Sequence, residues 1–388
     1  MKKQIVIAAG LAVLSTSAFA TKARMDALGQ STSGSHYIQD TRSIFRNAAH
    51  VNNFKNYVVT EWGTQGGTTT QTVDSAANPH AEGGFFREMG AFAYGLYMGN
   101  EADAQNTMRH GGNGFTGAAG GVTMGAPGFI KADNALDLFF GGDMGVQWGA
   151  NVHYTSNSSE PAAPALKQEQ SGLGLGLGMI MGDLDASVNL GLSDESKEGA
   201  AVGATWNNTG MEVNLGYNLG DLRVFAEYDK DTVKYKVNTA TAEIEATNTA
   251  MVFGVAKTHE VSSTARITAA VMYTSNKGKD TDVSAVTTEV TNTQLPVALT
   301  FEAEANSWLT LRGSVSQAVI INSTETKLTA STSKATNPND TSVNAGATLS
   351  FGKLKIDGSI GNGTTGNTQG GKLNLDTVMT RVGVHYWF

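Results

Sequence analysis

Apolar side chains recur at every second position along much of the chain. This is the spacing of a β-strand, because successive side chains of a strand point to opposite faces. The clearest case is SGLGLGLGMIM at 171–181, where leucine or methionine alternates with glycine. Similar rows lie at 144–154, 211–219, 222–228, 265–273, 295–303, 309–315 and 343–351. Many rows approach the roughly ten residues that a tilted strand needs to cross a bilayer, so we predict an all-β fold, a transmembrane antiparallel up-and-down β-barrel.

The connections between these rows alternate between short and long. Residues 181–184 (MGDL), 219–222 (LGDL) and 351–354 (FGKL) have tight-hairpin chemistry because glycine tolerates positive φ, and 140–144 (FGGDM) is a close variant. Longer polar segments lie near 155–169, 194–210, 275–290, 319–340 and 361–371. Outer-membrane barrels have short turns at one rim and long loops at the other, which is the arrangement that this pattern predicts.

The alternating segments give a count of about fourteen strands. They lie near 85–98, 134–141, 143–154, 170–181, 184–193, 199–219, 222–236, 243–257, 264–274, 290–303, 308–318, 341–351, 354–361 and 372–388. YVVTEW at 57–62 is also strand-like, and pairing with a second N-terminal strand would bring the total to sixteen. The barrel is expected to close, because an open sheet edge in hydrocarbon leaves backbone groups without hydrogen bonds. We assign it to 57–388.

The N-terminus has the pattern of an export signal. Lys2 and Lys3 precede an apolar stretch at 5–14 and the small-residue motif Ala18-Phe19-Ala20, which predicts a Sec signal peptide at 1–20 that is cleaved after Ala20. No later run of about eighteen apolar residues occurs, so a helical membrane protein is excluded. Loss of Lys2 and Lys3 moves the net charge from −8 to −10, and an acidic surface argues against nucleic acid as a partner.

Two other interpretations of the pattern are weaker. A soluble β-sandwich also alternates, but several rows here end in an aromatic residue, as a membrane-interface girdle requires. Those residues are Tyr154, Tyr217, Tyr228, Tyr273 and Phe351. A phosphate-binding loop would space its glycines as GxGxxG or close with lysine followed by serine or threonine, whereas 171–181 has a strict period of two.

The C-terminal octapeptide RVGVHYWF completes an alternating strand, with Val382, Val384, Tyr386 and the terminal Phe388 on one face. It resembles the terminal signal of bacterial outer-membrane barrels, in which the last strand ends in Phe after an aromatic two residues earlier. The resemblance implies that Val384, Tyr386 and Phe388 form the assembly signal. It also implies two partners, outer-membrane lipid and the barrel assembly machinery.

Residues 21–56 differ from the rest of the chain. With VVTEWG, the segments KARMDALGQ and DTRSIFRNAAHVNN give the mature chain a resemblance to the porin-like major outer-membrane proteins of predatory Gram-negative bacteria. SIFRNAAHV is also similar to the N-terminal Asn-Pro-Ala segment of long-chain fatty-acid transporters, with Ala48 after Asn47 where that family has proline. That resemblance implies a plug, or hatch, inside the lumen. A periplasmic tail is the alternative.

Strand parity turns a set of charged side chains toward the barrel interior, where they need water or opposite charges. The predicted pore-lining residues are Glu212, Arg223, Glu227, Arg266, Glu302, Arg312, Lys355, Asp357 and Arg381. Mixed charges around a water-filled constriction would select small polar solutes, and Arg312, Lys355 and Arg381 would form a basic strip. Pairing across neighbouring strands is the alternative role for any one of them.

The sequence gives little support to catalysis or metal binding. Its seven histidines show neither HExxH nor an i, i+4 pair, and no GxSxG element lies near His153 or His385. The absence of cysteine removes disulfides, thiol nucleophiles and thiolate metal ligands. The uncharged glycine-rich stretch 111–128, in the long loop 99–133, is expected to be a constriction loop or an external loop.

These observations together predict an outer-membrane porin for passive diffusion of small hydrophilic solutes and ions. It would have no cofactor, no metal, no catalytic residue and no enzymatic activity, and small polar solutes would be its partners. A homotrimer is an arrangement open to it, since many porins are trimers. The alternatives are a hatch-gated transporter for hydrophobic substrates such as fatty acids, and a structural or adhesive outer-membrane barrel.

Overall fold

The fold is a closed, all-β antiparallel barrel. A computed structural model describes residues 21–63, 81–100, 135–160, 167–198, 203–236, 243–281, 287–337, 341–365 and 381–388. The strands are β1 Tyr57–Gly63, β2 Ala81–Met89, β3 Phe92–Met98, β4 Ala135–Asp143, β5 Gln147–Ser159, β6 Gln168–Met181, β7 Leu184–Glu198, β8 Thr205–Leu219, β9 Leu222–Lys236, β10 Ile244–Ser262, β11 Ala265–Thr281, β12 Thr287–Asn306, β13 Leu309–Leu328, β14 Ser331–Thr336, β15 Thr341–Phe351, β16 Leu354–Thr365 and β17 Arg381–Trp387.

Apart from β14, each strand pairs with the strands that precede and follow it, and β17 pairs with β1 to close the barrel. The short β14 pairs with residues 323–328 of β13, whereas β15 pairs with residues 309–317 of the same strand. These two strands therefore occupy one position in the wall, and the barrel has sixteen. This agrees with the upper of the two predicted strand counts, and β1 is the YVVTEW strand.

The predicted alternation is present in the wall. Leu173, Leu177, Met179 and Met181 are exposed on the outer face of β6, while the glycines at 172, 174 and 176 are buried on the inner face. Large apolar side chains are likewise exposed on the outer faces of β8, β10 and β12. In water such a surface would be unfavourable, because soluble monomers rarely expose large contiguous apolar patches.

Tight turns join the strands at one rim. Gly182, Gly220 and Gly352 adopt φ of 59°, 67° and 64°, as predicted for the MGDL, LGDL and FGKL hairpins. The predicted turn at 140–144 is displaced, because β4 continues to Asp143 and the turn follows at Gly145, with φ of 88°.

Two features of the predicted strand boundaries are wrong, and one is confirmed. The strand predicted at 85–98 is the hairpin β2–β3, which turns at Gly90 with φ of 63°. The 199–219 segment is a single strand as predicted, because Asn207 to Gly210 lies within β8, which begins at Thr205. Much of the sequence predicted as long polar loops is strand: β12 and β13 have 20 residues each, about twice what a bilayer crossing needs. These strands extend beyond the membrane at the rim opposite the tight turns.

The N-terminal segment has little regular structure. It contains the helices α1 (Lys22–Ala27) and α2 (Ser43–Arg46) and a 3-10 turn at Ala48–Asn52. No helix among the described residues is long and apolar enough to span a membrane. The predicted signal peptide at 1–20, the glycine-rich stretch 111–128 and residues 372–380 of the predicted last strand lie outside the described residues.

Candidate functional site

Residues 21–56 lie inside the barrel, and we refer to them as the plug. α1 contacts β13, β15, β16 and β17, while the 3-10 turn contacts β3, β4, β5 and β6. Arg24 of α1 also reaches β12, and side chains further along the plug reach β7 and β9. A segment outside the barrel contacts only one side of the wall, so contacts on all sides place this segment in the lumen.

Local capping by polar side chains gives the plug its short helices. The Thr21 hydroxyl accepts a hydrogen bond from the Arg24 amide at the start of α1. Asp40 accepts from the amides of Arg42 and Ser43 before α2, and Asn47 accepts from the Ala49 amide at the 3-10 turn. Each cap satisfies an amide that the helix leaves without a partner, so these short turns can persist in the polar lumen.

One side of the plug is held by an apolar core. Ile44, Phe45, Ala48, Val51 and Phe54 are buried against the inner faces of β1 to β4. The wall supplies aromatic side chains here: Tyr57, Phe86, Tyr97 and Phe139. Phe45 meets Tyr97 and Phe139 edge-on, with ring centroids 5.1 and 5.4 Å apart. Aromatic pairs of this geometry stabilise the contact beyond their buried area, so this side is a fixed anchor.

The rest of the plug is held by buried charges. Arg24 Nη2 lies 2.8 Å from Glu302 Oε2, and Arg381 Nη1 lies 2.6 Å from Asp26 Oδ2. On the other side, Lys22 Nζ lies 2.7 Å from Glu82 Oε2. Glu302 also accepts from Arg266 and Arg312 of the wall, at 3.1 and 3.4 Å, so several cations share it. The further buried plug pairs are Arg24–Asp40, His36–Glu227, Arg42–Glu61, Arg42–Glu82, Arg46–Glu227 and His50–Asp185.

Asn47 is a central anchor of the plug. Its side-chain amide donates to Asp185 Oδ1 at 2.6 Å and to the main-chain oxygens of Met179 and Ala186 at 3.3 and 3.2 Å. The main-chain oxygen of Arg46 accepts from Ser187 and from the Asn189 amide. The residues of the SIFRNAAHV motif therefore bind β6 and β7 directly.

Inward-facing glycines of the wall are shaped to the plug. A methyl group added at any of five of them would lie less than 3.0 Å from a plug atom. These glycines and the plug residues that they meet are Gly141 with Val51, Gly149 with Ala48, Gly178 with Asn47, Gly346 with Ala27 and Gly383 with Thr21. Glycine in a strand interior often marks such a close approach of another backbone. On the glycine face of β6, the plug makes such an approach at Gly178.

The predicted pore-lining charges face the interior, and most of them bind the plug or one another. Arg24 of the plug joins Glu302, Arg266, Arg312 and Asp357 into one cluster, in which Arg312 lies 3.5 Å from Asp357. Arg381 binds Asp26. Arg312 and Arg381 therefore do not form the predicted free basic strip, because each is paired with a carboxylate. Lys355 is half-buried.

On the opposite wall, Glu227 pairs with Arg46, and Arg223 Nη2 lies 3.0 Å from Asp185 Oδ2. Glu212 accepts hydrogen bonds from the amides of Asn189 and Asn214. Parity predicted the orientation of these side chains. It provided no indication of their plug partners, since an ion pair such as Arg24–Glu302 joins residues 278 apart in the sequence.

Two titratable side chains of the plug are shifted in opposite directions. Burial raises the pKa of Asp40 to about 6, against the opposing effect of Arg24. Burial together with the charge of Arg46 lowers the pKa of His36 to about 4. Both shifts follow from desolvation, which disfavours the charged form of either group.

A cavity of about 700 Å³ lies between the plug and the inner faces of β8 to β13. The plug side of the cavity is the loop from Gly29 to Tyr37, followed by Phe45 and Arg46. Gly29 and Gly34 take positive φ, and Gln30 bonds within the loop to Tyr37 and Ser35. The wall side is mainly polar, with carboxylates on β8 and β9 and side-chain amides on β10 to β12.

No metal centre is evident among the described residues. They contain no group of three or more potential metal ligands from His, Asp and Glu. His153 Nδ1 lies 3.1 Å from Asp137 Oδ1 on β4 and β5, and both side chains are buried. His385 is buried beside Tyr57 and Trp387.

The terminal residues predicted to form the assembly signal lie at the seam of the barrel. β17 pairs with β16 on one side and with β1 on the other. Tyr386 and Phe388 are exposed on the outer face, 49% and 47% accessible, and Val384 lies on the same face.

Comparisons with known proteins show barrels of the same general kind. No family model matches the chain, and no curated protein matches its sequence. Among solved structures, a Pseudomonas aeruginosa FadL homologue is 10% identical with a TM-score of 0.45, covering 95% of this chain and 98% of that one. The toluene transporter TodX of Pseudomonas putida is 12% identical with a TM-score of 0.36, covering 96% and 99%. OmpT, an outer membrane protein of Vibrio cholerae, is 12% identical with a TM-score of 0.38, covering 86% and 96%.

Proposed function

We propose that the protein is an outer-membrane channel for small hydrophilic solutes and that the plug gates its lumen. The observation that carries this proposal is the binding of the plug to the wall on all sides, largely through ion pairs and hydrogen bonds. The apolar outer face supports a location in a bilayer, and a closed barrel is one of the two structures that can span it.

The way the plug is bound suggests which part of it moves. Its apolar side is fixed on β1 to β4, where separation would expose aromatic surface to water. The opposite side faces the cavity and contacts β9 through Arg46, His36 and Tyr37. Fewer plug side chains hold this side, and water can solvate the Arg46–Glu227 and His36–Glu227 pairs when they separate, so the Gly29–Tyr37 loop is the segment that shifts to open a path along β8 to β13.

The lining of the cavity favours a hydrophilic solute over a hydrophobic one. Amide and carboxylate side chains on β8 to β12 would face an apolar surface that offers no hydrogen bonds if an acyl chain or an aromatic hydrocarbon filled the cavity. The hatch arrangement itself suits a transporter for hydrophobic substrates, which is the second candidate. Fatty acid retained by the purified protein would favour that candidate.

Single-channel recording in planar bilayers tests the gate. Arg46→Gln removes the buried link between the plug and Glu227. Lys55→Gln is the matched control, because Lys55 also joins the plug to the wall, 2.9 Å from Glu88, but both side chains are exposed. The unmodified protein should open briefly, Arg46→Gln should raise the open fraction severalfold, and Lys55→Gln should leave it unchanged.

Two outcomes would contradict the proposal. If the unmodified protein shows large steady conductance that Arg46→Gln does not change, the plug is not a gate. If both proteins are silent at every voltage, the barrel is not a solute channel, and an adhesive or structural role takes its place.

A further inference from the structure

We propose that the cavity beside the plug binds a small cationic solute, an amine or guanidinium compound of amino-acid to dipeptide size. The inference rests on the proposed function, because the cavity lies on the path along which the solute would cross the barrel. Its volume of about 700 Å³ is within the range of roughly 300–1,000 Å³ that small-molecule sites occupy.

The charge of the cavity lining determines whether a cation or an anion binds. Glu212, Glu227, Asp229 and Asp231 face the cavity from β8 and β9. Among the described residues of the lining there is no lysine, and Arg46 is the one arginine, already paired with Glu227. Negative charge is therefore in excess, and a low-dielectric wall around it concentrates the field. Cations are attracted to this cavity, and anions are repelled.

The side-chain amides that line the cavity favour ligands that donate hydrogen bonds over ligands that only accept them. Asn248, Asn276, Asn292 and Gln294 line the cavity from β10 to β12. The side-chain oxygens of Asn248 and Asn276 are buried and have no hydrogen-bond partner in the described part of the chain. A buried acceptor without a partner is unfavourable, so a ligand that donates to it gains affinity. Ammonium and guanidinium groups are purely donors, whereas a carboxylate or phosphate offers no proton to either oxygen.

A third part of the lining suits the stem of such a ligand. Val252, Met272 and Pro296 form an apolar patch between the amides and the plug, close to the Tyr37 ring. An alkyl chain can lie on this patch while its charged end reaches the carboxylates, as lysine and arginine side chains do on apolar surfaces. A cation near the face of Tyr37 would gain further attraction.

Calorimetric titration of the purified full-length protein with two matched probes tests this inference. Argininamide and citrullinamide have nearly the same shape, but citrullinamide carries a neutral urea group in place of the guanidinium. Argininamide should bind at least tenfold more tightly. The double variant Glu212→Gln/Asp229→Asn should abolish that preference and leave citrullinamide binding within about twofold, while Asp183→Asn at an exposed turn should keep the preference.

Asn276→Leu is a second variant, which removes one acceptor without a change of charge. It should weaken argininamide binding about fivefold and keep part of the preference over citrullinamide. Equal affinity of the two probes for the unmodified protein would overturn the inference. A preference that survives the double variant unchanged would also overturn it.

The binding measurement does not depend on transport, so the two proposals can fail separately. Swelling of proteoliposomes in xylose, a neutral solute, reports the channel alone. If the protein prefers argininamide but xylose does not enter, the proposed binding site stands and the proposed channel fails. If xylose enters but argininamide is not preferred, the proposed channel stands and the proposed cationic site fails.

Discussion

At the residue scale, single methyl groups decide whether the plug fits the wall. An alanine side chain at Gly149 would meet the main-chain carbonyl group of Ala48, which cannot move without the 3-10 turn. Gly149→Ala should therefore destabilise the docked plug by about 1–3 kcal/mol, the usual cost of overpacking. Gly313→Ala is the control, because there the methyl group meets one backbone oxygen at 3.4 Å, an ordinary contact.

Open fraction in bilayers measures this difference. Gly149→Ala should open more often than the unmodified protein, and Gly313→Ala should match it. An equal response of the two alanine variants would show that the plug does not pack on Gly149.

The Glu302 cluster predicts which of two variants loses more stability. Glu302 is the shared partner of Arg24, Arg266 and Arg312. Loss of Arg24 leaves Glu302 with its two wall arginines and Asp40 with the amides of Arg42 and Ser43. Removal of one partner from a buried pair costs about 3–5 kcal/mol, so Glu302→Gln should be more destabilising than Arg24→Gln. Urea unfolding from lipid vesicles measures both. Lys257→Gln, at an exposed pair, should stay within about 0.5 kcal/mol, and the reverse order of the two buried variants would contradict the assignment.

The opposite pKa shifts of Asp40 and His36 predict opposing effects of pH on plug docking, and in the unmodified protein each effect masks the other. Asp40 binds its proton more tightly in the docked plug, because its pKa rises to about 6, so acidification through pH 6 to 4 favours docking. His36 resists protonation when docked, because its pKa falls to about 4, so acidification through pH 6.5 to 4 favours release.

A variant that removes one of these two groups should show the pH dependence that the other group causes. Between pH 7 and about pH 4.5, His36→Asn should shift the plug toward docking relative to the unmodified protein, and Asp40→Asn should shift it toward release. The open fraction at the two pH values is the measurement. Shifts of the same sign in both variants would show that these pKa changes are not linked to docking.

At the element scale, the sequence predicted the strands well where one face meets lipid. Leucine and methionine at every second residue of β6 are sufficient to fix its orientation. The β2–β3 hairpin was missed because apolar residues continue on both sides of Gly90 and Ala91, so no polar segment marks the turn. The outer halves of β12 and β13 were missed because threonine, serine and asparagine on both faces look like a loop.

The boundary between the bilayer and these extensions gives a prediction for two leucines. Leu215 is exposed on the outer face of β8, and Leu328 is similarly exposed at the far end of β13. Leu215→Arg should destabilise the barrel by about 2–4 kcal/mol, because arginine is costly near the bilayer midplane. Leu328→Arg should change stability by less than about 1 kcal/mol in the same vesicles. Equal effects would mean that the bilayer also covers the extension.

At the scale of the whole molecule, the barrel and the plug were predictable to different degrees. Alternation is local, so a short window shows which face of a strand is apolar. The position of the plug depends on contacts between distant residues, such as Asp26 with Arg381, which no local pattern encodes. The glycines opposite the plug were the available signal, since a strand face of glycine needs a neighbour that approaches closely.

The central claim is that residues 21–56 occupy the lumen of a membrane barrel, and thiol labelling tests it most directly. The chain has no cysteine, so Ala49→Cys, at a position that is fully buried in the plug, introduces a unique reporter. Ser333→Cys, on the exposed strand β14, is the control. In intact proteoliposomes a bilayer-impermeant maleimide should label residue 333 rapidly and residue 49 at least a hundredfold more slowly, with equal rates after unfolding in urea. Equally rapid labelling of both residues in the folded protein would contradict the account.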